Sequence, residues 1–413
     1  MRILYTTPIL EYPPAGGPQL RVANSIKALS GICELDIIHR VHVEEQSAKK
    51  TKAHFVSYSS EYHIASARNH KGKYPSIARW VDRILNRIIN SDAEKFATYI
   101  ITHADRRNIK IIWFGYGNIS FSIIKKIKSK RPDFQVISDT DSVWSRFILR
   151  EIPYALGIRK LKIFYKGLNK RREEAISVRL CDVTTAVSNV DADYYRSLTA
   201  KPDKLHRCSN VIDLDHYKDR PRPPVNFKTP AMYLAGTFGH YNSPMDTAAR
   251  WILEEVLPKI RAAQPNLHFY IVGRDSEVGF GNLSDANITV TGRVESVLPY
   301  LCNADVSIVP LKFESGTRFK ILESAACGVP IVSTTLGAEG IPVIDGHHIL
   351  LADTAEEFAG AVLRLLKDEG LRKKLIQNCR DLVSEQYGID ALATEGLSII
   401  RYLQNSMQDV AAG

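Results

Sequence analysis

The 413-residue chain predicts an α/β protein of two Rossmann-like domains facing across a cleft. Three observations carry that expectation. Short apolar runs alternate with helix-length amphipathic stretches along most of the chain, the pattern of parallel sheets covered by helices. Strand, glycine loop and helix follow one another at the start of each half, at 2–30 and again at 231–260. Between the halves Asp219–Phe227, DRPRPPVNF, holds three prolines and reads as a linker, which puts the domains at 1–218 and 219–388. At this length both can bury full cores.

In the first half, residues 2–7 form a strand, and the loop TPILEYPPAGGPQL leads into the helix RVANSIKALSG. Gly16 and Gly17 therefore lie between a first strand and a first helix, where parallel-sheet proteins place ligand loops; no G-x-G-x-x-G accompanies them. Glu34–Val41 is the second strand. Residues 44–110 carry little pattern: Gln46–Lys52 reads as a loop, and Ile77–Asn90 as a basic amphipathic helix suited either to a sheet or to a membrane interface. Strands follow at Asn108–Phe114 and Phe134–Ser138, the second ending in Asp139-Thr140-Asp141. Such a carboxylate pair can cap the following VWSRF helix or hold Mg²⁺ or Mn²⁺. A long basic helix, Lys160–Leu180, and the strand Cys181–Ser188 precede the linker region.

In the second half, strands are expected at Ala231–Phe238, Leu267–Ser276 and Asn287–Val294, with Gly273-Arg274 and Gly292-Arg293-Val294 at strand ends. The densest signal is DVSIVPLKFESGTRFKILESAACGVPIVSTTLGAEGI, Asp305–Ile341. Val306–Pro310 reads as a buried strand, 312–317 as a polar loop with Gly316 free to adopt unusual backbone angles, and 318–327 as a helix stopped by Gly328 and Pro330. A helix N-terminus at the carboxyl end of a parallel strand is an anion site. Arg318 and Lys320 stand in its first turn, where the helix dipole disfavours cations unless an anion offsets them. Glu323 lies a turn further in and suits ribose hydroxyls, so the stretch reads as a nucleotide-diphosphate site.

The wording PLxxxSGTRFKILESAACGVPIVSTTLGAEGI resembles the donor-site segment of the group 1 retaining glycosyltransferases of the GT-B fold, and the resemblance is strongest from about Tyr233 to Tyr387. It implies that Glu323 binds the ribose of a nucleotide sugar, that Arg318 and Lys320 serve its phosphates in catalysis, and that Gly316 and Thr317 border it. It also implies that Gly292, Arg293 and Val294 meet the base and that the Gly16-Gly17 loop closes over donor and acceptor. Gly273, Arg274 and His240 fall at the same strand ends, and Asp141 falls on the acceptor side. The family's earlier Glu, eight residues before the ribose Glu, is Ser315 here, with Glu314 one residue out of register. A final helix, about 389–413, is expected to cross back onto the first domain. The family's transfer needs no metal and no cofactor beyond the nucleotide-sugar donor.

Composition adds bounds. No apolar run is long enough to span a bilayer, and the first residues form a strand rather than a signal peptide, pointing to a cytoplasmic protein. The six cysteines have no paired spacing and read as reduced thiols in or near cores. Residues 1–200 hold 33 Lys+Arg against 19 Asp+Glu, about +14, leaving about −4 for the rest, so the basic half suits an anionic membrane surface or a lipid-linked acceptor, or is a solvated basic face. No nucleic-acid module accompanies it. The expected function is retaining sugar transfer in cell-surface polysaccharide synthesis. The alternatives are a catalytically silent sugar-nucleotide-binding subunit and a sugar-nucleotide epimerase.

Overall fold

A computed structural model describes residues 1–14, 16–43, 46–68, 91–239, 242–314, 316 and 318–412. The chain forms two units: Met1–Ser145, Tyr165–Asn210 and Ile389–Gly413 make the first, and Arg146–Phe164 with Val211–Gly388 the second.

The first unit is built on a parallel sheet of β1 (Arg2–Thr7), β2 (Glu34–Val43), β3 (Glu61–Arg68), β4 (Ile111–Gly115), β5 (Gln135–Asp139), β6 (Val183–Ala186) and β7 (Leu205–Arg207). Their order is β3-β2-β1-β4-β5-β6-β7. Val, Ile and aromatic side chains fill both faces; Trp113, Phe114 and Phe134 are fully buried. Helices α1 (Gly17–Ser30), α2 (Gln46–Phe55), α3 (Ser91–Arg106), α4 (Phe121–Lys130), α6 (Ile158–Leu180), α7 (Asn189–Arg196) and the terminal α15 (Ile389–Ala412) are counted by their sequence order, with α6 beginning in the second unit. The last of these packs on α1 so closely that a Cβ on Gly396 would stand 2.8 Å from Leu29.

Two expectations are corrected here. Gln46–Lys52 is not a loop but part of α2, because Ala48, Thr51 and Phe55, spaced three and four apart, are its buried face. The chain passes between units at Asn210/Val211 rather than at 218/219. Val211 and Ile212 are buried, Ile212 N–H donates to Tyr387 O at 2.9 Å, and the Asn303 amide donates to Pro221 O at 3.0 Å, all within the second unit. The expected helix at 77–90 lies outside the described residues.

The second unit has strands β8 (Ala231–Ala235), β9 (His268–Val272), β10 (Ile288–Val290), β11 (Val306–Val309), β12 (Ile331–Ser333) and β13 (Leu350–Leu351), ordered β10-β9-β8-β11-β12-β13 and parallel throughout. Its helices are α8 (Pro244–Trp251), running through a π-helical turn at Ile252–Val256 into α9 (Leu257–Ala263), then α10 (Ser276–Phe280), α11 (Leu298–Leu301), α12 (Phe319–Ala326), α13 (Ala355–Lys367) and α14 (Glu369–Gln386). Helix α5 (Trp144–Arg150) joins it through its last five residues. Connections leave β8 toward β9 and β11 toward β12 on opposite sides, so a topological switch point lies between β8 and β11, where open α/β sheets bind ligands.

Candidate functional site

At the carboxyl edge of the second sheet the loops after β8, β9 and β10 are tied together through backbone. Phe238 N–H donates to Arg274 O at 3.0 Å, Gly273 N–H to Gly292 O at 3.1 Å, and Gly292 N–H to Ser276 Oγ at 3.0 Å. Gly273 has φ 126°, and a Cβ there would stand 2.1 Å from Gly236 O, so glycine alone allows this approach. The Arg274 and Arg293 side chains are exposed, whereas Val294 is partly buried against the core around Tyr233, Tyr270 and Leu301.

On the other side of the switch point, β11 is fully buried and its loop is anchored by Leu311 and Phe313, the latter stacked on Tyr154 at 4.9 Å. Gly316 takes φ 87°, the left-handed conformation its sequence position suggested. Arg318 is the extended N-cap residue of α12, and its guanidinium donates to Gly316 O. Helix α12 has no acidic residue in its first turn, so its dipole is met there only by cations. Gly328, at φ 68°, ends it: Gly328 N–H donates to Ala325 O at 3.0 Å and Val329 N–H to Ser324 O at 2.9 Å.

Burial pulls the Lys320 ammonium below its ordinary pKa; Glu314 and Glu323 oppose this and Arg318 adds to it. Burial raises the Glu323 carboxyl above its ordinary range, against the Tyr217 hydrogen bond and Lys320. Tyr217 OH donates to Glu323 Oε1 at 3.1 Å, leaving the second carboxylate oxygen as an acceptor.

Sequence reasoning missed the cations that complete this edge. Arg146 and Arg150, one turn apart on α5, both reach Glu339 in the loop after β12: Arg146 Nη2 lies 2.8 Å from Oε1, and Arg150 grips both oxygens at 2.5 and 2.8 Å. Arg150 also donates to Glu314 O at 2.6 Å. Burial raises Glu339, but Arg150, Arg146 and Arg318 overcome that and hold it below its ordinary range. Arg146, Arg150, Arg318 and Lys320 thus surround Glu339 and the start of α12 with more positive charge than the carboxylates there can match. Nothing in the sequence spacing pairs residue 146 with 339; only the "GAEG" turn, rich in small residues around one Glu, was a signal.

Two sulfurs 25 residues apart also meet. Cys302 and Cys327 place their Sγ atoms 3.2 Å apart beneath α12, as free thiols, a proximity their sequence spacing hides. The sulfur–sulfur hydrogen bond and Arg220 favour loss of one proton from the pair. His240 and Thr317, expected near the donor, and Ser315 lie outside the described residues.

In the first unit Gly16 is extended (φ 174°) and its carbonyl accepts from Leu20 N–H at 2.9 Å; Gly17 begins α1. Asp139 and Asp141 have separate jobs. Asp139 binds Arg21, accepts from Thr185 Oγ1 at 2.6 Å and from Trp113 Nε1 at 3.3 Å, while Arg21 donates onward to Asn210 Oδ1 at 2.7 Å. Asp141 Oδ1 accepts from Trp144 Nε1 at 3.1 Å, beside the start of α5, and burial raises its pKa. Among the described residues the one three-ligand cluster of metal-binding type is elsewhere, Glu61, His63 and His103. Its groups already pair internally and with Asp36, Arg106 and Arg107.

Arg318, Lys320 and Glu323 thus gather at the start of α12, at the carboxyl edge of a doubly wound sheet. Residues 233–368 match the family described as "Glycosyl transferases group 1". Over 147 residues the chain is 26% identical to the lipopolysaccharide core biosynthesis glycosyltransferase LpsE of Rhizobium meliloti, covering 34% of this chain and 43% of that protein. Among solved structures it resembles sucrose-phosphate synthase from Thermosynechococcus elongatus (TM-score 0.69, 17% identity, 98% of this chain and 100% of that one). It also resembles Anabaena HepE, solved in complex with UDP and glucose (TM-score 0.66, 11% identity, 97% and 99% covered). The sequence matches span less than half the length of the curated relatives, 43% for LpsE. Residues 233–368 are thus similar to the group 1 glycosyl transferases, and the chain as a whole has the GT-B fold of these solved structures.

Proposed function

We propose that this chain transfers a sugar from a nucleotide-diphosphate sugar to a hydroxyl of a glycan or lipid-linked acceptor, with retention of anomeric configuration and without a metal. The observation that carries the reading is the cation-rich start of α12 at the β8/β11 switch point, inside the stretch that matches the family. A diphosphate placed there accepts hydrogen bonds from the first-turn N–H groups and charge from Arg318 and Lys320. As the glycosidic bond breaks, negative charge grows on the leaving phosphate, and these groups stabilise it more than they do the bound donor. Glu323, held by Tyr217 at one oxygen, accepts from the ribose at the other. No pair of carboxylates is then required as nucleophile and acid, because the leaving phosphate takes the acceptor's proton.

The experiment is calorimetry of UDP, GDP, ADP and dTDP in the presence of EDTA, then transfer from the matching nucleotide sugar with NMR assignment of the product anomer. Binding of one diphosphate and a retained anomer support the proposal. Binding without turnover on any acceptor replaces it with a silent sugar-nucleotide subunit. Binding that appears only with added Mg²⁺ or Mn²⁺ overturns metal independence, and an inverted anomer overturns retention.

A further inference from the structure

Helix α6 turns its apolar side the wrong way for an ordinary surface helix. Ile163 and Gly167 are its buried positions in this stretch, and Ile163 packs with Ile148 and Ala155. At about 100° per residue, Ile158, Leu161, Tyr165 and Leu168 stand roughly 140–220° around the helix from Ile163, on the side of the helix opposite its buried residue. Their exposures are 72, 69, 69 and 38%, and Leu156, just before the helix, is 85% exposed. A run of large apolar side chains aimed at solvent marks an interaction surface.

The charges beside it say what the surface meets. From 152 to 172 the chain has no acidic residue and seven basic ones. Arg159 pairs with Glu151 and Lys170 with Glu173, while Lys160, Lys162 and Lys166 are exposed on the flanks of the apolar stripe. An apolar stripe with lysines on both sides is the pattern of a helix that lies in a bilayer interface: the apolar groups enter the headgroup–acyl boundary, and the lysine stems run up to anionic headgroups. We infer that α6 docks the protein on an anionic lipid bilayer through Ile158, Leu161, Tyr165 and Leu168. This assignment stands apart from the transfer reading, since it uses none of the residues around α12.

The test is co-sedimentation of the full chain with vesicles of phosphatidylcholine alone and of phosphatidylcholine with phosphatidylglycerol. Binding is expected to the anionic vesicles, to weaken with salt, and to fall by about tenfold or more in Leu161→Glu/Tyr165→Glu. The triple variant Lys160→Gln/Lys162→Gln/Lys166→Gln should lose most of the salt-sensitive part. Unchanged melting temperature and diphosphate binding in both variants show that the fold and the α12 site are intact. Failure of the wild type to bind anionic vesicles overturns the inference, as does equal binding by the Glu variant. A wild-type dimer that Leu161→Glu converts to monomer, with no vesicle binding, would assign the face to a second copy of the chain instead.

Discussion

Lys320→Ala separates a ligand role from a structural one. In the free protein the Lys320 ammonium is poorly served: burial and Arg318 both disfavour its charge, and Glu314 and Glu323 compensate only in part. Among the described residues no hydrogen bond to its ammonium is formed, and its backbone carbonyl, which accepts from Ser324 Oγ at 2.7 Å, is unaffected by the substitution. Alanine also raises helix propensity slightly. The variant should therefore melt at or above the wild-type temperature. With a diphosphate bound, the same ammonium makes a charge-assisted contact worth about 1.5–3 kcal/mol, so the dissociation constant should rise by roughly 10- to 150-fold. Calorimetry without metal, beside a thermal melt of the apo protein, reads both quantities. A folded variant whose diphosphate affinity is unchanged would refute the reasoning. So would a melting temperature that falls in parallel with that of Glu323→Ala, because Lys320 would then be holding the fold.

Three further outcomes follow from groups whose titration the structure displaces. Burial raises the Glu323 carboxyl, so it loses its charge at a higher pH than a free Glu; nucleoside affinity should fall as pH drops through that raised range, and calorimetry across mildly acidic pH should show no such fall in Glu323→Gln. Glu339 is depressed, so its pairing stabilises the fold above its unfolded pKa and is lost as pH falls through the folded value. A double-mutant cycle of Arg150→Ala and Glu339→Gln at neutral pH should give a coupling of about 1–2 kcal/mol in denaturant melts, shrinking in acid. His39 is buried, its Nδ1 3.2 Å from Tyr62 OH, and burial with Arg40 lowers its pKa from 6.5 to about 4. It stays neutral in the fold while the unfolded chain takes a proton, so about 3 kcal/mol should disappear between pH 6.5 and 4. Urea midpoints measured across that window should change less steeply in His39→Phe.

What the sequence made legible was what short-range physics decides. Gly316 and Gly328 mark positions where the chain needs positive φ, and both have it. β1, β4, β5, β8, β9 and β11 announce themselves as apolar runs because both faces of a parallel sheet are covered. The edge strand β3, EYHIASAR, does not, since Glu61 and His63 spend their polar atoms on Arg106 and on each other rather than on a core. Helix α2 hid for a similar reason: only Ala48, Thr51 and Phe55 are buried, too sparse a face to outweigh its lysines.

The site divides along the same line. Arg318, Lys320 and Glu323 share one helix, so their spacing alone puts them together. Arg146 and Arg150 reach the same place through tertiary structure, carried by an α5 segment that leaves the first unit before α6 returns to it. That gathering carries an electrostatic cost. Three arginines and a lysine gathered near one helix N-terminus repel each other, and Glu339 offsets part of that repulsion in the free protein. A diphosphate would bring the remaining negative charge, so ligand binding and the stability of this edge should rise together. A denaturant titration of the wild type with saturating diphosphate should therefore gain stability by the full binding linkage, and Glu339→Gln, weaker when free, should gain more. If Glu339→Gln gains less, the carboxylate is helping to hold Arg146 and Arg150 in place for the ligand rather than substituting for it.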